Sequence, residues 1–471
     1  MNTRTMYGRR VITTDAAEIT AANVVDVLKK AMDDHDLNRA DIEYLWKYFK
    51  GDQPILSRVK TVRPEICNKI VENRANEIVS FKVGYLCGEP IQYVGRSNDT
   101  TVGESICVLN EYMFIVDKAA LDREIVEWQM IAGTANRMVL DNEAFDADSD
   151  EAPFEMYTLD PRDSFVVYST DVKRKRMMGV KYNTDEHGFK TYSVYTDKEC
   201  FFIEDDQIKK TVPHGLGQVP IVEYPANNAR LGSFEIVLPL LDAINNIESN
   251  RMDGIEQFIQ SFMKFINCDI DEEKFQALKD MGAIKIKSAD GQPADVDIVT
   301  SELDQSQTQV TKEDLYKAIL SICGLPSMSD GSTSDSSNNG AVILKNGWQG
   351  AETRAKDSEL MFKRSEKEIL KLVLKLCDGL ADLKVKLKDI DMKFTRRNYD
   401  NIQSKSQVLV SMLQQPKIHP LLAFTHSGLF SDPESAYAMS NEYYEEQMAK
   451  WEPVEVDETD DEPVIEENAD V

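Results

Sequence analysis

The sequence predicts an α+β protein that is mostly helical. Long stretches, such as residues 20–49 and 233–267, place apolar residues at the three- and four-residue spacing of a buried helix face. Residues 154–224 consist instead of short β-branched and aromatic runs separated by Asp, Gly, Asn and Lys, which is typical of an antiparallel meander. A short segment with both strand and helix patterns, residues 272–300, interrupts the later helices. These three observations together predict the fold class.

The N-terminal part is predicted to contain three helical stretches and a strand. The first helix covers residues 20–49. Pro64 fits the first position of a second helix that continues to about Ser80. A third helical stretch covers residues 104–131, and a strand is expected at residues 137–140 after a glycine.

A long helix is predicted at residues 233–267, with Pro239 near its start as a kink or a restart. At ~1.5 Å per residue, ~30 residues would span roughly 45 Å, which is longer than a small domain is wide. A small insert follows, with a helical turn and strands at 283–287 and 296–300. A second helix at 312–323 returns from this insert. The chain is therefore expected to run outwards along one rod and back along another.

The C-terminal part begins with a serine-rich, low-complexity segment at residues 327–340 that is flexible by composition. A charged helix follows at residues 350–378. The remaining predicted elements are a strand-like stretch at 383–395 and helices at 404–413, 421–424 and 433–450. Residues 451–471 contain no Lys or Arg, and a disordered tail is expected there.

The composition indicates a folded protein without membrane spans. Hydrophobic residues make up 42% and charged residues 29% of the 471 residues. No stretch approaches the ~18 apolar residues of a membrane helix, and the N-terminus lacks the apolar core of a signal peptide. We therefore expect a cytoplasmic protein without membrane contact. The seven cysteines form no CxxC pair, which favours buried, reduced thiols.

The net charge of −28 restricts the possible contacts with nucleic acid. Ten acidic residues follow Lys450, and removing them leaves about −18 on the rest of the chain. A protein that grips DNA normally has a basic stripe that neutralises phosphates. This chain would on average repel DNA.

No sequence motif for catalysis or cofactor binding is present, because GxxxxGK[ST], HExxH and GxSxG are all missing. Asp146, Asp148 and Asp150 occupy the first three alternate positions of a calcium loop. Glu151 stands where that loop needs Gly, and Tyr157 stands where it needs Glu. A solvated turn is therefore favoured over a metal site. We expect no enzyme activity, no cofactor and no metal.

Four lysines recur every four residues on the charged helix, at Lys363, Lys367, Lys371 and Lys375. One interpretation is a basic ridge for phosphate or for an acidic neighbouring subunit. The other is a solvated helix face with ion pairs to nearby glutamates, which we favour because such faces are common and weakly stabilising.

The order of the elements and several phrases resemble the portal proteins of tailed double-stranded DNA phages. These are the head-to-tail connectors, here of the siphophage type. The most specific phrases are NKIVENRANEIVSFKVGYLCGEPIQY at residues 68–93 and SFEIVLPLLDAINNIESNRMDGIEQF at residues 233–258. YLWKYFKGDQPIL, AGTANRMVLDNE, LGQVPIVEYPANN and SNNGAVILK also resemble family segments, and the similarity extends from about Tyr44 to Glu445.

The resemblance implies a portal fold with wing, stem, clip and crown regions, long stem helices and a small α/β clip insert. The implied wing covers residues 1–232, with its β-rich meander at 152–226. The implied later regions are the first stem helix at 233–268, the clip at 269–310, the second stem helix at 311–326, the tunnel loop at 327–340, the long helix and return to the wing at 341–400, the crown helices at 401–450 and the disordered acidic tail at 451–471.

The resemblance also implies functional residues. The tunnel-loop candidates for contact with DNA are Ser327, Ser329, Ser332, Ser334, Ser336, Asn338, Asn339 and Lys345. The clip candidates for partner docking are Lys285, Lys287, Asp290, Gln292, Asp295 and Asp297. Gly84, Gly88 and Pro90 form an expected joint of the wing. Glycines that follow a helix's end turn the chain and permit close packing, whereas a phosphate site would need them before a helix.

The function implied by the resemblance is a ring, usually of twelve subunits, at one capsid vertex, through which double-stranded DNA is packaged and ejected. The implied partners are other copies of the chain, the DNA, the large terminase subunit, scaffold and major capsid proteins, and a head-completion adaptor. The implied location is the virion, after assembly in the host cytoplasm. An acidic chain suits this function, because a channel must let DNA slide instead of binding it.

Two other functions stay open at this point. One is a metal-dependent, packaging-associated nuclease or phosphotransferase that uses Asp146, Asp148 and Asp150. The other is a different capsid-associated structural protein, such as an adaptor. The length of the chain and the insert between two rods argue against the adaptor, because adaptors are small.

Overall fold

A computed structural model describes residues 8–96, 100–146, 150–259, 262–266, 295–299, 305–326, 347–378, 383–395, 402–430 and 433–450. They form an α+β fold in which helices predominate, as the sequence predicts. The chain divides into two compact units, Met1–Arg397 and Asn398–Val471. None of the described helices is long and apolar enough to cross a membrane.

The first unit contains most of the secondary structure. Its helices are α1 (Val24–Lys50), α2 (Arg74–Leu86), α3 (Thr100–Ile115), α4 (Lys118–Ala132), α5 (Leu238–Ile259), α6 (Gln305–Cys323) and α7 (Trp348–Leu376). Its strands are β1 (Ile12–Thr14), β2 (Gln92–Gly95), β3 (Thr134–Asp141), β4 (Phe154–Leu159), β5 (Ser164–Ser169), β6 (Arg176–Thr184), β7 (Lys190–Tyr195), β8 (Glu199–Glu204), β9 (Gln207–Pro213), β10 (Ile221–Pro225), β11 (Phe262–Ile266), β12 (Asp295–Val299) and β13 (Ile390–Lys393). Short 3-10 turns lie at Pro54–Ser57, Glu235–Val237 and Leu387–Asp389.

The described strands form two larger sheets and two ribbons. The larger sheets have the orders β1-β5-β6-β7-β8-β9 and β10-β3-β4. Strand β1 is parallel to β5, and the other pairs are antiparallel. The ribbons are β13-β2 and β11-β12. The predicted meander is confirmed, and its first and last strands belong to the three-stranded sheet.

Apolar residues pack against both of the larger sheets. The N-terminal half of α1 covers the six-stranded sheet, where Val24 and Leu28 lie in one buried cluster with Val167 and Val180. The two larger sheets approach closely at Gly179 of β6, where an added Cβ would lie 2.6 Å from the Cβ of Ile221 in β10. Glycine is therefore required for this contact.

A larger apolar core lies between the three-stranded sheet and helices α2, α4, α5, α6 and α7. Its buried members include Ile78 of α2, Val126 of α4, Ile244 of α5, Ile319 of α6 and Phe362 of α7. This core therefore joins elements that are far apart in the sequence.

Inside this core lies a buried charge cluster, defined as Lys118, Asp122, Arg137 and Glu366 with the hydroxyl groups of Tyr93 and Tyr224. The four charged residues are at most 4% exposed. Glu366 of α7 lies 3.1 Å from Lys118 Nζ and 3.3 Å from Arg137 NH1. Asp122 lies 2.7 Å from both cations. The cluster thus contains two cations and two anions.

The tyrosines complete the surroundings of Glu366. Tyr93 donates its hydroxyl to Glu366 Oε1 at 2.6 Å, and Tyr224 donates to Glu366 Oε2. Burial by itself disfavours the ionised carboxylate, but Lys118, Arg137 and the two hydroxyls lower the pKa of Glu366 to about 2. Burial beside Glu366 also raises the pKa of both tyrosines well above the usual value.

Five predicted elements differ from the structure. The predicted helix 312–323 begins earlier, as α6 starts at Gln305. Helix α2 begins at Arg74 and not at Pro64, because residues 68–72 are extended and bind α5. The predicted helix 104–131 is divided into α3 and α4, and Asp117 at the break has φ of +50°. The strand-like stretch 383–395 contains only the four-residue strand β13.

The predicted helix 233–267 is also too long. It begins at Leu238, with Pro239 in its first turn, and ends at Ile259. Phe262–Ile266 then forms β11, whose backbone pairs with β12. The 22 residues of α5 span roughly 33 Å.

The second unit contains three helices among its described residues: α8 (Ile402–Leu413), α9 (Pro420–Ser427) and α10 (Pro433–Ala449). They correspond to the predicted helices at 404–413, 421–424 and 433–450. The ring of Phe424 stacks on Phe430 at 5.3 Å and meets Tyr437 edge-on at 5.7 Å. This aromatic group holds α9 against α10.

We predict that Glu366→Gln lowers the free energy of unfolding by about 3–5 kcal/mol at pH 7, because two buried cations would then share one carboxylate. Because the folded-state pKa of Glu366 lies below the unfolded value of ~4.3, its stabilisation is complete above that value and is lost as the pH falls toward about 2. The difference between wild type and variant should therefore narrow between pH 5 and pH 3.

Urea unfolding followed by circular dichroism measures both effects. Asp357→Asn is the matched control, because Asp357 is an exposed carboxylate on the same helix. Equal stabilities of Glu366→Gln and the control would contradict the prediction.

Candidate functional site: a polar seam along helix α5

Most residues that the sequence proposes for contact with DNA or partners lie outside the described residues. This applies to the tunnel-loop candidates between 327 and 345 and to the clip candidates between 285 and 292. The other two clip candidates lie in β12, where Asp295 pairs with Ile266 and Asp297 pairs with Lys264. Asp148 also lies outside the described residues, among which no group of three or more His, Cys, Asp or Glu could hold a metal ion.

The expected wing joint is described completely. Gly84 lies inside α2, which corrects the expectation that it follows the helix's end. A Cβ at Gly84 would meet no atom within 4 Å, whereas a Cβ at Gly88 would lie 2.4 Å from the carbonyl oxygen of Gly84. Pro90 precedes β2 by two residues. Close approach of the backbone therefore requires glycine at position 88 and not at position 84.

Residues 68–72, which precede α2, make a series of polar contacts with α5. Asp242, Asn245, Ser249 and Asp253 are spaced three or four residues apart and therefore share one face of the helix. Asn245, Ser249 and Asp253 are 1%, 0% and 4% exposed. We call these residues, together with the extended segment 68–72, the polar seam.

The seam is a run of hydrogen bonds from backbone to side chains. The N–H groups of alternate residues in the extended segment donate to side-chain oxygens on successive turns of α5, and the two segments run in opposite directions. The pairs are Asn68 N to Asp253 Oδ1 at 2.7 Å, Ile70 N to Ser249 Oγ at 3.0 Å, and Glu72 N to Asn245 Oδ1 at 2.8 Å.

This pairing follows from the dimensions of the two structures. Two extended residues rise ~6.6 Å, and four helical residues rise ~6 Å. Every second N–H of an extended segment therefore meets every fourth residue of a helix that lies beside it. The N–H groups of Asn68, Ile70 and Glu72 are thus satisfied by α5, so this segment does not need helical hydrogen bonds to satisfy them.

At one end of the seam, Asp253 also pairs with two cations. Its Oδ1 also accepts from Asn68 Nδ2 at 3.0 Å, and its Oδ2 lies 3.0 Å from Lys60 Nζ and 3.1 Å from Arg58 NH2. Burial disfavours the ionised form of Asp253, but the Asn68 N–H, Lys60 and Arg58 together lower the pKa of its carboxyl below the usual value.

Amide side chains continue the seam on the other side. Asn245 Nδ2 donates to Gln53, and Gln53 Nε2 donates to Asn73 Oδ1 at 3.1 Å. Asn73 caps α2 by accepting from Asn76 N, and its Nδ2 donates to the carbonyl of Phe49 at 2.8 Å. The seam thereby connects α5 to the end of α1 and to the start of α2.

Helix α6 is tied to the same place. Lys312 Nζ lies 2.8 Å from Glu72 and 2.9 Å from Glu248, so one cation joins α6 to the extended segment and to α5. Tyr316 of α6 donates its hydroxyl to Glu77 of α2 at 2.6 Å. Every polar group named here has a protein partner, so the chemistry of the seam is that of a structural joint.

This seam was not predicted from the sequence. A signal was present, because α5 has polar residues at positions 242, 245, 249 and 253, at helical spacing beside an apolar stripe. The two phrases that most resemble the portal family, residues 68–93 and 233–258, are also the two segments that meet in the seam.

Comparisons with known proteins give a family match. The family model described as phage portal protein, SPP1 Gp6-like, matches residues 28–453. No curated protein matches the chain. Among solved structures, one similar chain comes from the neck of an empty GTA particle computed with C6 symmetry. It has 12% identity and a TM-score of 0.42, and the match covers 75% of this chain and 90% of that one.

We predict opposite effects of alanine at the two glycines of the joint. Gly88→Ala should lower the free energy of unfolding by about 1–3 kcal/mol, because its Cβ would overlap the carbonyl oxygen of Gly84. Gly84→Ala should be neutral or stabilising by up to ~1 kcal/mol, because the helix interior favours alanine and the space is open. Urea unfolding of the two variants measures this, and a more stable Gly88→Ala variant would refute the close approach.

We predict that Asp253→Ala destabilises the protein by about 1–3 kcal/mol at pH 7, because Asn68 N–H and two cations lose their acceptor. Asp253→Asn should cost less, since an amide oxygen can still accept from Asn68. The measurement is the urea midpoint, with the exposed turn variant Asp205→Asn as the control for loss of a carboxylate. A control as destabilised as Asp253→Ala would show that the seam has no special role.

Proposed function

Because the chain belongs to the SPP1 Gp6-like family of phage portal proteins, we propose that it forms a ring at one vertex of a phage capsid. Double-stranded DNA passes through this ring during packaging and again during ejection. The ring contains about twelve copies of the chain, and it remains in the virion as the head-to-tail connector after assembly in the host cytoplasm. The family match over residues 28–453 is the observation on which this proposal rests.

The regions of the chain have different roles in the proposed ring. Helices α5 and α6 are the two stem helices, and the segment between them is the clip. The arrangement of the described residues supports this assignment. The two helices run antiparallel, with Arg251 of α5 donating to Gln309 of α6 at 3.1 Å near one end. Cys323 Sγ approaches the carbonyl of Ser233 at 3.6 Å near the other end.

The insert between the helices starts and ends as a ribbon. Strand β11 follows α5 after two residues, and β12 precedes α6 by a few residues. In the proposed function this insert protrudes and docks the large terminase subunit, and later the head-completion adaptor. Scaffold and major capsid proteins contact the ring elsewhere.

The proposed wing covers residues 1–232 and the returning helix α7, and the polar seam joins it to the stem. The proposed crown consists of α8, α9 and α10. Residues 327–340 form the tunnel loop, whose serine and asparagine side chains contact the passing DNA. The net charge of −28 favours sliding, because few phosphates are neutralised along the channel.

We expect the purified chain to form annular particles of about twelve chain masses, because portal subunits close a ring through repeated head-to-tail contacts. Negative-stain imaging and native mass spectrometry measure the shape and the number of copies. A species that stays monomeric at high concentration in the presence of its scaffold protein would overturn the proposal.

A further inference from the structure

A basic cleft of about 710 Å³ lies in the first unit between the β5–β6 turn, the segment around β10 and helix α7. Seven cationic side chains and three carboxylates line it. The cations are Lys173–Arg176, Arg230, Arg364 and Lys371, and the carboxylates are Asp197, Glu223 and Glu368. This concentration of positive charge is opposite in sign to the chain as a whole, whose net charge is −28.

Side chains at the base of the cleft are held in place by this chain's own groups. Arg230 pairs with Glu223 at 2.6 Å, and Arg176 pairs with Glu368 at 3.1 Å. Arg176 also donates to the carbonyl of Ile221 at 3.3 Å. These contacts use two of the three carboxylates and fix two arginines, which gives the base of the cleft a defined shape.

The rim of the cleft has cations that the described residues leave unpaired. Lys371 pairs with Glu368 at 2.6 Å, and Lys175 pairs with Asp197 at 3.2 Å. By contrast, Lys173, Arg174 and Arg364 are exposed and form no ion pair with any described residue. Three positive charges of the rim therefore have no carboxylate partner among the described residues.

The turn that presents two of these cations is ordered. Arg174 N donates to the carbonyl of Asp171 at 3.1 Å, and Lys175 N donates to Ser169 Oγ at 2.9 Å. Ser169 Oγ in turn donates to Asp171 Oδ1 at 2.7 Å. The backbone of the turn is thus fixed, so little conformational freedom of the main chain is lost when an anion binds.

We infer that the basic cleft receives acidic side chains of a neighbouring copy of this chain. This inference rests on the proposed ring, in which every contact joins two different surfaces of the same chain. Such a contact requires that one chain has both a surface patch and a second patch of complementary charge. Acidic residues outnumber basic ones by 82 to 54, so the surface of a neighbouring copy offers carboxylates, and the cleft is the complementary patch.

Carboxylates of another copy fit the cleft better than a DNA duplex does. A duplex is a stiff, wide rod whose phosphates are read by exposed stripes of cations. The cleft is concave, and Glu223, Glu368 and Asp197 in its lining would repel part of a phosphate backbone. Single carboxylate side chains can reach individual arginines between these anions.

The first test is a zero-length carbodiimide cross-link. Rings are assembled from an equal mixture of unlabelled and ¹⁵N-labelled full-length chains, and cross-linked peptides are identified by mass spectrometry. The expected result is an amide bond between the Lys173 amine and an Asp or Glu of the other isotopic form. Cross-links of Lys173 only within one chain, or none at all in intact rings, would overturn the inference.

The second test compares two charge reversals of equal size. Arg174→Glu with Arg364→Glu should reduce ring affinity by about tenfold or more at physiological salt, because like charges then meet across the contact. Lys209→Glu with Lys386→Glu is the matched control, since both lysines are exposed and lie outside the cleft. Native mass spectrometry over a salt series measures the ring fraction, and circular dichroism confirms folding.

The outcomes separate the two proposals. If the wild type forms rings and the Arg174→Glu/Arg364→Glu variant forms rings of equal stability, the cleft contact is refuted and the proposed function is not. A wild type that forms no ring would refute both the proposed function and the contact. A variant that keeps its rings but loses affinity for duplex DNA would show that the cleft serves nucleic acid, which also refutes the inference.

Discussion

The packing of the first unit depends on the pairing of the buried charges around Glu366, because an unpaired buried charge is costly. Each ion taken out of water costs several kcal/mol unless its partners are close, and here two cations, two anions and two hydroxyls meet without solvent. The partners come from five elements: α4, β2, β3, β10 and α7. Any displacement of α7 along the sheet would separate these charges. The apolar core around the cluster supplies much of the stability, and an arrangement of that core that separated these charges would leave them buried and unpaired.

The polar seam applies a similar constraint with neutral groups. Three buried side chains of α5 accept the backbone donors of a segment about 180 residues earlier in the chain. The long antiparallel pair of α5 and α6 is therefore attached to the rest of the unit by more than apolar contact. Amides extend this attachment to the ends of α1 and α2. A protein whose proposed work is to hold a passage open needs its long helices fixed at their base, and the seam provides that attachment.

Elements with a clear periodicity of apolar residues could be predicted from the sequence. Helices α1 and α7 and the strands of the meander lie close to their predicted positions, because their patterns reflect which face is buried. Residues 64–73 and 262–266 were predicted wrongly, because their conformation is set by partners distant in sequence, α5 and β12. Only one side of the seam has a signal in the sequence: α5 has polar residues at helical spacing, whereas the donors of residues 68–72 are backbone groups without a side-chain pattern. The resemblance to the portal family was confirmed by a family match over residues 28–453, although most of its proposed contact residues lie outside the described ones.

Alternate N–H groups of residues 68–72 bind α5, and this alternation limits how the segment can slide along the helix. Successive N–H groups of an extended chain point in opposite directions, so only every second one can face α5. A shift of one residue along the helix would turn all three donors of the seam away from their acceptors at once. The next position in register lies ~6.6 Å away. Sliding of the segment by a single residue along α5 would therefore break all three hydrogen bonds without replacing any of them.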